Sequence, residues 1–113
     1  MKEIIFVFQS INYIIMIGEN SRDNWNIIDI SNPHWIWFHV ANSSSSHVVL
    51  KIDENIKIPK QVIKRCACLC KSHSSSKALQ NIVIHYTQIK NIKKTDIVGQ
   101  VILLTEPKIV NIN

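Results

Sequence analysis

The sequence predicts an α+β fold, in which a mostly antiparallel sheet of six or seven short strands is packed by one main helix and one short helix. Short segments rich in β-branched residues recur along the chain, and many of them alternate between apolar and polar positions. One longer segment near the middle has apolar residues at helical spacing instead. The 113 residues, 46% of them hydrophobic, are enough to bury one core. We therefore expect a single domain over residues 1–113.

The predicted strands follow from the abundance of β-branched residues. They span residues 4–8, 13–17, 36–40, 47–52, 82–87, 100–104 and 109–112. The first two lie in an apolar stretch that suggests a signal or membrane segment, but Gln9, Ser10 and Asn12 interrupt it and no small-residue cleavage site follows. We therefore expect no membrane association and an intracellular, cytoplasmic location, where cysteines stay reduced.

Two helices are predicted between the strands. The short helix begins after Asn20 or Ser21 as its N-cap and ends before Pro33. The main helix runs from Pro59 to about His73 with an apolar face, which we expect to pack on the sheet, and a solvent-facing basic face. The basic face consists of Lys60, Lys64, Arg65 and Lys71. Loops are expected at residues 41–46, 53–58 and 72–77.

The charge of the chain is unevenly distributed. Its net charge is +5, yet residues 1–50 hold two basic and four acidic residues, a balance of −2. From Lys57 through Lys94 there are nine basic residues and no acidic one. Such a run repels itself unless a polyanion or salt relieves it. Charge alone leaves two interpretations open, a nucleic-acid or other anionic partner and a solvated basic surface.

The strands around Trp37 and His47 are expected to pair in a register that keeps residues of equal parity on one face. The even-numbered face is apolar and consists of Ile36, Phe38, Val40, Val48, Leu50 and Ile52. The odd-numbered face consists of Trp35, Trp37, His39, His47, Val49 and Lys51. Its aromatic rings, imidazoles and lysine suit base stacking and phosphate contacts. The alternative is that the main helix covers this face and Trp37 belongs to the core, with Trp35 the more exposed of the two.

A second candidate segment begins at the strand end that carries Tyr86 and Thr87. Lys90, Lys93 and Lys94 follow it, which suits a grip on phosphates in which Tyr86 stacks or hydrogen-bonds. A solvated loop after a strand with a buried tyrosine is the alternative.

The two histidines of the odd-numbered face adjoin serine-rich sequence, so a hydrolase arrangement has to be considered. The chain has no nucleophile elbow, no orienting carboxylate at a suitable spacing and only two glycines for an oxyanion loop. We therefore predict that the chain is not an enzyme. The serines of loop 43–46, Ser45 among them, offer hydroxyl and amide groups to phosphates or form a polar loop only.

In their order and spacing these segments resemble the NFACT-R domain, an RNA-binding module. The pieces that carry the resemblance are Gly18-Glu19-Asn20 with Asn24, the W-F-H-V and S-S-H-V strands that begin at Trp37 and Ser45, the helix that ends near Ser74, the Tyr86 to Lys94 segment and Gly99-Gln100. They cover roughly residues 12 to 102. One departure is Trp35, where family members usually carry an acidic residue.

The resemblance implies a non-catalytic domain without a cofactor that binds structured RNA, either rRNA or tRNA. Family members are parts of ribosome quality-control factors that engage large ribosomal subunits, or stand-alone proteins, some with a coiled-coil tail; this chain looks like the stand-alone form without the tail. Binding of DNA and a protein-interaction adaptor that uses the aromatic face are the alternatives. The residues expected to contact nucleic acid are Trp35, Trp37, His39, Ser45, His47, Lys51, Lys64, Arg65, Lys71, Tyr86, Thr87, Lys90, Lys93 and Lys94.

The cysteines of the main helix invite a metal-binding interpretation together with His73. Cys66 and Cys70 share a helical face with His73 whereas Cys68 points away, so only three ligands converge. The resemblance places small or apolar residues along this helix. We therefore predict that the cysteines are buried packing residues and that the chain binds no metal.

Overall fold

The computed structural model describes residues 1–54 and 56–113, and within them it contains eight strands, two α-helices and one short 3-10 helix. The strands are β1 Lys2–Phe8, β2 Ile11–Ile17, β3 Ile36–Val40, β4 Val48–Lys51, β5 Ile82–Gln88, β6 Ile92–Lys94, β7 Val101–Leu103 and β8 Lys108–Ile112. The helices are α1 Ser21–Ile30, α2 Lys60–Ser72 and the 3-10 helix Ile89–Asn91. Within the predicted loop 53–58, Asn55 lies outside the described residues.

Six of the strands form one antiparallel sheet in the order β1-β2-β4-β3-β5-β8. The remaining two, β6 and β7, form a separate antiparallel ribbon. The predicted α+β class and both predicted helices are confirmed. The strand predicted at residues 100–104 belongs to the ribbon, and its partner β6 was not predicted because three residues are too few for a recognisable alternation.

In the pairing of β3 with β4, odd-numbered residues lie opposite odd-numbered ones and even-numbered residues opposite even-numbered ones, as predicted. Trp37 lies opposite Val49, and Phe38 lies opposite Val48. Because side chains alternate between the faces of a sheet, each face of this pair carries residues of one parity only.

Helix α2 covers the even-numbered face and forms the first core with it. Phe38, Val40, Val48 and Leu50 from the sheet are buried together with apolar residues of the helix. The helical contribution to this core consists of Val62, Cys66, Ala67, Leu69 and Cys70. The predicted apolar face of the main helix is therefore confirmed.

The cysteines lie where a packing role requires them. Cys66 and Cys70 are fully buried, and burial raises the pKa of both thiols, that of Cys70 to about 11. A buried thiol that stays protonated is a poor metal ligand. Among the described residues there is no group of three or more histidine, cysteine or acidic side chains placed to hold a metal ion.

We expect the replacement of Cys66 or Cys70 by alanine to lower the free energy of unfolding by about 1 kcal/mol each, because each substitution leaves a small cavity in the first core. Urea unfolding of the two single variants measures this loss. Metal analysis of the purified protein is the control, since stoichiometric zinc that disappears in these variants would show that the thiols are ligands.

A second core lies on the odd-numbered face of the sheet. Helix α1, the 3-10 helix and the β6–β7 ribbon cover this face and bury Met16, Ile27, Trp37, Val49 and Ile92. Trp37 is only 3% exposed. The expectation of an open aromatic platform around Trp37 is therefore wrong. The alternative was right to place Trp37 in a core but named the wrong covering element, because α2 lies on the opposite face of the sheet.

Within the described residues, neither helix combines the length and the apolar composition that crossing a bilayer requires.

Candidate nucleic-acid interface

A cleft of about 530 Å³ opens on the odd-numbered face, between the sheet, the serine loop and residues 97–100. It brings together four of the predicted site residues, namely Trp37, His39, Ser45 and His47. The other residues that line it are Ser21, Asn24, Val40, Asn42, Ser43, Ser44, His85, Ile97, Val98, Gly99, Gln100, Val101 and Leu103. The family motifs at Asn24, Trp37, Ser45 and Gly99 therefore converge on one place.

Three rings pack against one another at the inner side of the cleft. The rings of Trp37 and His39 stack with centroids 5.5 Å apart and an interplanar angle of 6°. The ring of His47 meets both edge-on, 5.5 Å from Trp37 and 5.1 Å from His39. Burial lowers the pKa of His39 and lowers that of His47 to about 3, with the neighbouring His39 as a further cause for His47. Both imidazoles are therefore neutral near pH 7.

The position of His47 depends on the glycine-asparagine element. The backbone N–H of His47 donates to Oδ1 of Asn24 at 3.1 Å, and the backbone N–H of Gly18 donates to the carbonyl of His47 at 2.9 Å. A Cβ at Gly18 would lie 2.1 Å from Oδ1 of Asn24. Only glycine at position 18 therefore leaves room for the side chain of Asn24 to reach the backbone of His47. This contact explains why the motif combines Gly18 with Asn24.

Gly99 forms part of another wall of the cleft, at a position where a side chain would not fit. Its φ is +89°, in the region that favours glycine, and a Cβ there would lie 2.8 Å from Cα of Ser21. The loop that contains Gly99 therefore rests directly on the first turn of α1. This close approach holds the β6–β7 ribbon against the rest of the domain.

The serine loop is tied to the sheet and to the end of α2. The hydroxyl of Ser45 accepts a hydrogen bond from the backbone N–H of Val40 at 3.1 Å. The backbone N–H of Ser46 donates to the carbonyl of His73 at 3.4 Å, and Ser45 forms a β-bridge with Ser74. The hydroxyl of Ser45 therefore has a structural role in holding the wall of the cleft.

Trp35 and Lys51 lie apart from the cleft, in a groove at the other end of β3. Nζ of Lys51 lies 5.5 Å from the centre of the Trp35 ring and 3.8 Å from a carboxylate oxygen of Glu3. Trp35 is half-buried, which agrees with the expectation that it is more exposed than Trp37.

Tyr86 does not share a surface with the lysines that follow it. Its ring stacks on Phe38 with centroids 5.5 Å apart, on the face that α2 covers. Thr87 points to the other face and accepts a hydrogen bond from Nδ2 of Asn91 at 3.0 Å. The expectation that Tyr86 and the lysines form one grip is therefore wrong, because successive residues of a strand face opposite sides of the sheet.

The basic residues are divided between two layers. Lys60, Lys64 and Arg65 are exposed on α2 and Lys71 is half-buried there, while Lys90 and Lys93 are exposed on the 3-10 helix and β6. Lys94 forms an ion pair with Asp29 and lies 5.1 Å from the centre of the Trp25 ring. Among the described residues Lys94 is the only member of the basic run from 57 to 94 with a carboxylate partner.

His85 is one of several cleft residues that the sequence-based prediction missed; Asn42, Ile97, Val98 and Leu103 are others. His85 lies opposite His39 in the pairing of β3 with β5. Extending the parity argument to this third strand would have placed His85 on the same face. Asn24 and Gly99 were noticed only as parts of the family resemblance, since their contacts join segments far apart in sequence.

The fold and the cleft define a small α+β domain, and comparison with known proteins identifies its family. Residues 2–104 match the family described as the NFACT protein RNA binding domain. The chain therefore belongs to the NFACT-R family, as its motifs suggested.

Several curated proteins are similar to this chain. It is 38% identical over 97 residues to the mouse coiled-coil domain-containing protein 25, an overlap of 80% of this chain and 47% of that protein. It is 40% identical over 68 residues to protein JLP2 of Saccharomyces cerevisiae, covering 55% of this chain and 33% of that protein. It is 28% identical over 81 residues to Rqc2 homolog RqcH of Bacillus subtilis, an overlap of 71% of this chain and 14% of that protein. The chain thus spans about half the length of the first of these relatives and less of the others.

A solved structure supports the fold. The C-terminal part of the fibronectin/fibrinogen-binding protein from Streptococcus suis superimposes with a TM-score of 0.85 at 20% identity. The superposition covers 99% of this chain and 45% of the solved chain. The same architecture therefore persists at low sequence identity.

Proposed function

We propose that this chain is a non-catalytic, intracellular domain that binds structured RNA, rRNA or tRNA, of the translation and ribosome quality-control machinery. Membership of an RNA-binding family and similarity to an Rqc2 homolog support this function. The observation that carries it is the convergence of the family motifs on one cleft, on the face of the sheet that also carries the exposed Lys90 and Lys93. Phosphate contacts by these lysines dominate the affinity.

The cleft face is the better candidate interface because Lys93 lies on the β6–β7 ribbon that forms a wall of the cleft, and Lys90 lies on the same face of the sheet near Pro33, toward the Trp35 groove. Lys93 lies opposite Ile102 in the β6–β7 ribbon, and both are exposed on the outer side of the ribbon. The neighbouring Val101 and Leu103 line the cleft. A strand whose phosphates contact Lys93 therefore passes beside the cleft opening.

The basic residues of α2 occupy the opposite layer, so one flat contact does not include both sets. Lys64, Arg65 and Lys71 contribute long-range attraction to a polyanion in this proposal, which raises the rate of association more than it defines the contact. Trp35 and Lys51 extend the interface along β3 at the far end from the cleft.

The proposal is tested by two matched double variants. We expect Lys90→Ala with Lys93→Ala to lower the log–log salt slope of binding to a structured RNA by about one to two units, because two phosphate contacts disappear. Lys60→Ala with Lys64→Ala removes the same charge from α2 and should change the slope by less than about half a unit. Fluorescence anisotropy over a series of salt concentrations measures both slopes, and thermal melting confirms that both variants fold.

The two variants separate the possible interfaces. Equal losses in the two variants would indicate general attraction with no defined interface. A larger loss in the α2 variant would move the interface to the other face of the domain. Unchanged slopes in both would contradict the proposed function.

A further inference from the structure

The cleft has the dimensions of a site for a single small molecule or a single nucleotide. Its volume of about 530 Å³ falls within the range of small-ligand sites, about 300 to 1,000 Å³. A double helix is far too wide to enter it. Any part of an RNA that occupies the cleft must therefore be an unpaired residue.

The chemistry of the lining favours a neutral ring over a phosphate. None of the residues that line the cleft is a lysine, an arginine or an acidic residue. The buried imidazoles of His39 and His47 have lowered pKa values and add no charge near pH 7. Ile97, Val98 and Leu103 provide apolar walls. Such a lining suits a flat heteroaromatic ring with a polar edge.

Unused polar groups are present in the residues that line the cleft. Four polar residues of the cleft are exposed, namely Ser21, Asn42, Ser44 and Gln100. Among the described residues, nothing forms a hydrogen bond with the side chains of Asn42, Ser44 or Gln100. Amide groups both donate and accept, which is what reading the edge of a base requires. Deeper in, Nε1 of Trp37 and Nδ1 of His47 are buried with no partner in the described part of the chain. The exposed side chains of Asn42, Ser44 and Gln100 are therefore the groups that can offer donors and acceptors to the edge of a ring.

The site is held in place before any ligand arrives. The contact of Asn24 with His47, the contact of Ser45 with Val40 and the packing of Gly99 on Ser21 fix three of its walls. Preorganised walls lower the entropy lost on binding. Lys93 is exposed on the outer side of the same ribbon whose Val101 and Leu103 line the cleft.

From these observations we infer that the cleft receives one unpaired base of the bound RNA, while Lys93 on the ribbon beside it holds a neighbouring phosphate. The inference rests on the proposed function, since it names the part of the RNA that the same face recognises. Sequence preference at that one position would arise from Asn42 and Gln100, and packing against the half-buried His39 would be common to all bases.

The test compares an RNA hairpin that has a single bulged nucleotide with the same hairpin fully paired. We expect the wild-type protein to bind the bulged hairpin about tenfold more tightly at the same salt concentration, within the range for stacking one base. A 2-aminopurine placed at the bulge should change its fluorescence on binding. The same label at a paired position should respond less.

Two tryptophan variants locate the effect. Val98→Trp places a large ring at the cleft and should abolish the preference for the bulge while leaving the salt slope unchanged. Leu79→Trp adds the same ring at an exposed position outside the cleft lining and should leave the preference intact. Melting curves establish whether the variants fold. If Val98→Trp fails to fold, the 2-aminopurine signal of the wild-type protein still tests the inference.

The outcomes distinguish this inference from the proposed function. Equal affinity for the two hairpins, with a normal salt slope, would overturn the base site and leave RNA binding in place. Loss of the preference in both tryptophan variants would place the effect outside the cleft and would also overturn it. Failure to bind either hairpin would contradict the proposed function, and the inference with it.

Discussion

Replacing Phe38 by alanine is expected to lower the free energy of unfolding by about 3 to 5 kcal/mol, the range for truncating a large aromatic residue in a core. Phe38 is 0% exposed and lies in the middle of the first core. Its ring stacks on Tyr86 across the pairing of β3 with β5, and α2 covers the same face. The cavity would therefore be enclosed by rigid elements on both sides, which leaves little room for relaxation.

Urea denaturation measures this loss, and Ile5→Ala is the matched control. Ile5 is a large apolar residue of the edge strand β1 but is 63% exposed, so its truncation should change the free energy of unfolding by less than about 1 kcal/mol. If the two variants lose similar amounts, the even-numbered face is not the packed one and the layer arrangement described above is wrong.

Acidification is expected to destabilise the domain through His47. This side chain is 1% exposed, and burial lowers its pKa to about 3 in the folded state, whereas a histidine in an unfolded chain titrates near 6.5, as a rough reference. The unfolded chain therefore binds a proton over a range of pH in which the folded chain does not. The contribution of neutral His47 to stability is fully present above about pH 6.5 and is lost progressively as the pH falls toward the folded pKa.

At pH 4 this loss amounts to about 3 kcal/mol relative to pH 7. Unfolding free energies of the wild type and of His47→Gln, measured over this range, isolate the contribution because glutamine does not titrate. Carboxylates remote from His47 affect both proteins and cancel in the comparison, whereas the difference includes the coupling of His47 with the neighbouring His39. A pH dependence that is the same in both proteins would show that His47 is protonated freely in the folded state.

Much of the fold could be predicted because its signals are local. Alternation and β-branched composition marked the strands, and Asn20 marked the start of α1, where its side chain caps the backbone N–H of Asp23 at 2.9 Å. The spacing of apolar residues located α2. The candidate site was predicted only in part, since Trp37, His39, Ser45 and His47 meet at the cleft but Lys51, Lys64 and Tyr86 lie elsewhere.

The sequence by itself determined the α+β class, both α-helices, the strands other than β6, the family and the parity that places Trp37 and Phe38 on opposite faces. It could do so because periodicity and strand register are properties of neighbouring residues. Only the tertiary structure decided what covers each face. Trp37 is buried by the 3-10 helix and by a ribbon whose second strand lies more than sixty residues away in the chain. The same long-range packing separates the lysines of α2 from Lys93. Helix α2 packs on one face of the sheet and the β6–β7 ribbon on the other, and this arrangement does not depend on the charge of their exposed residues.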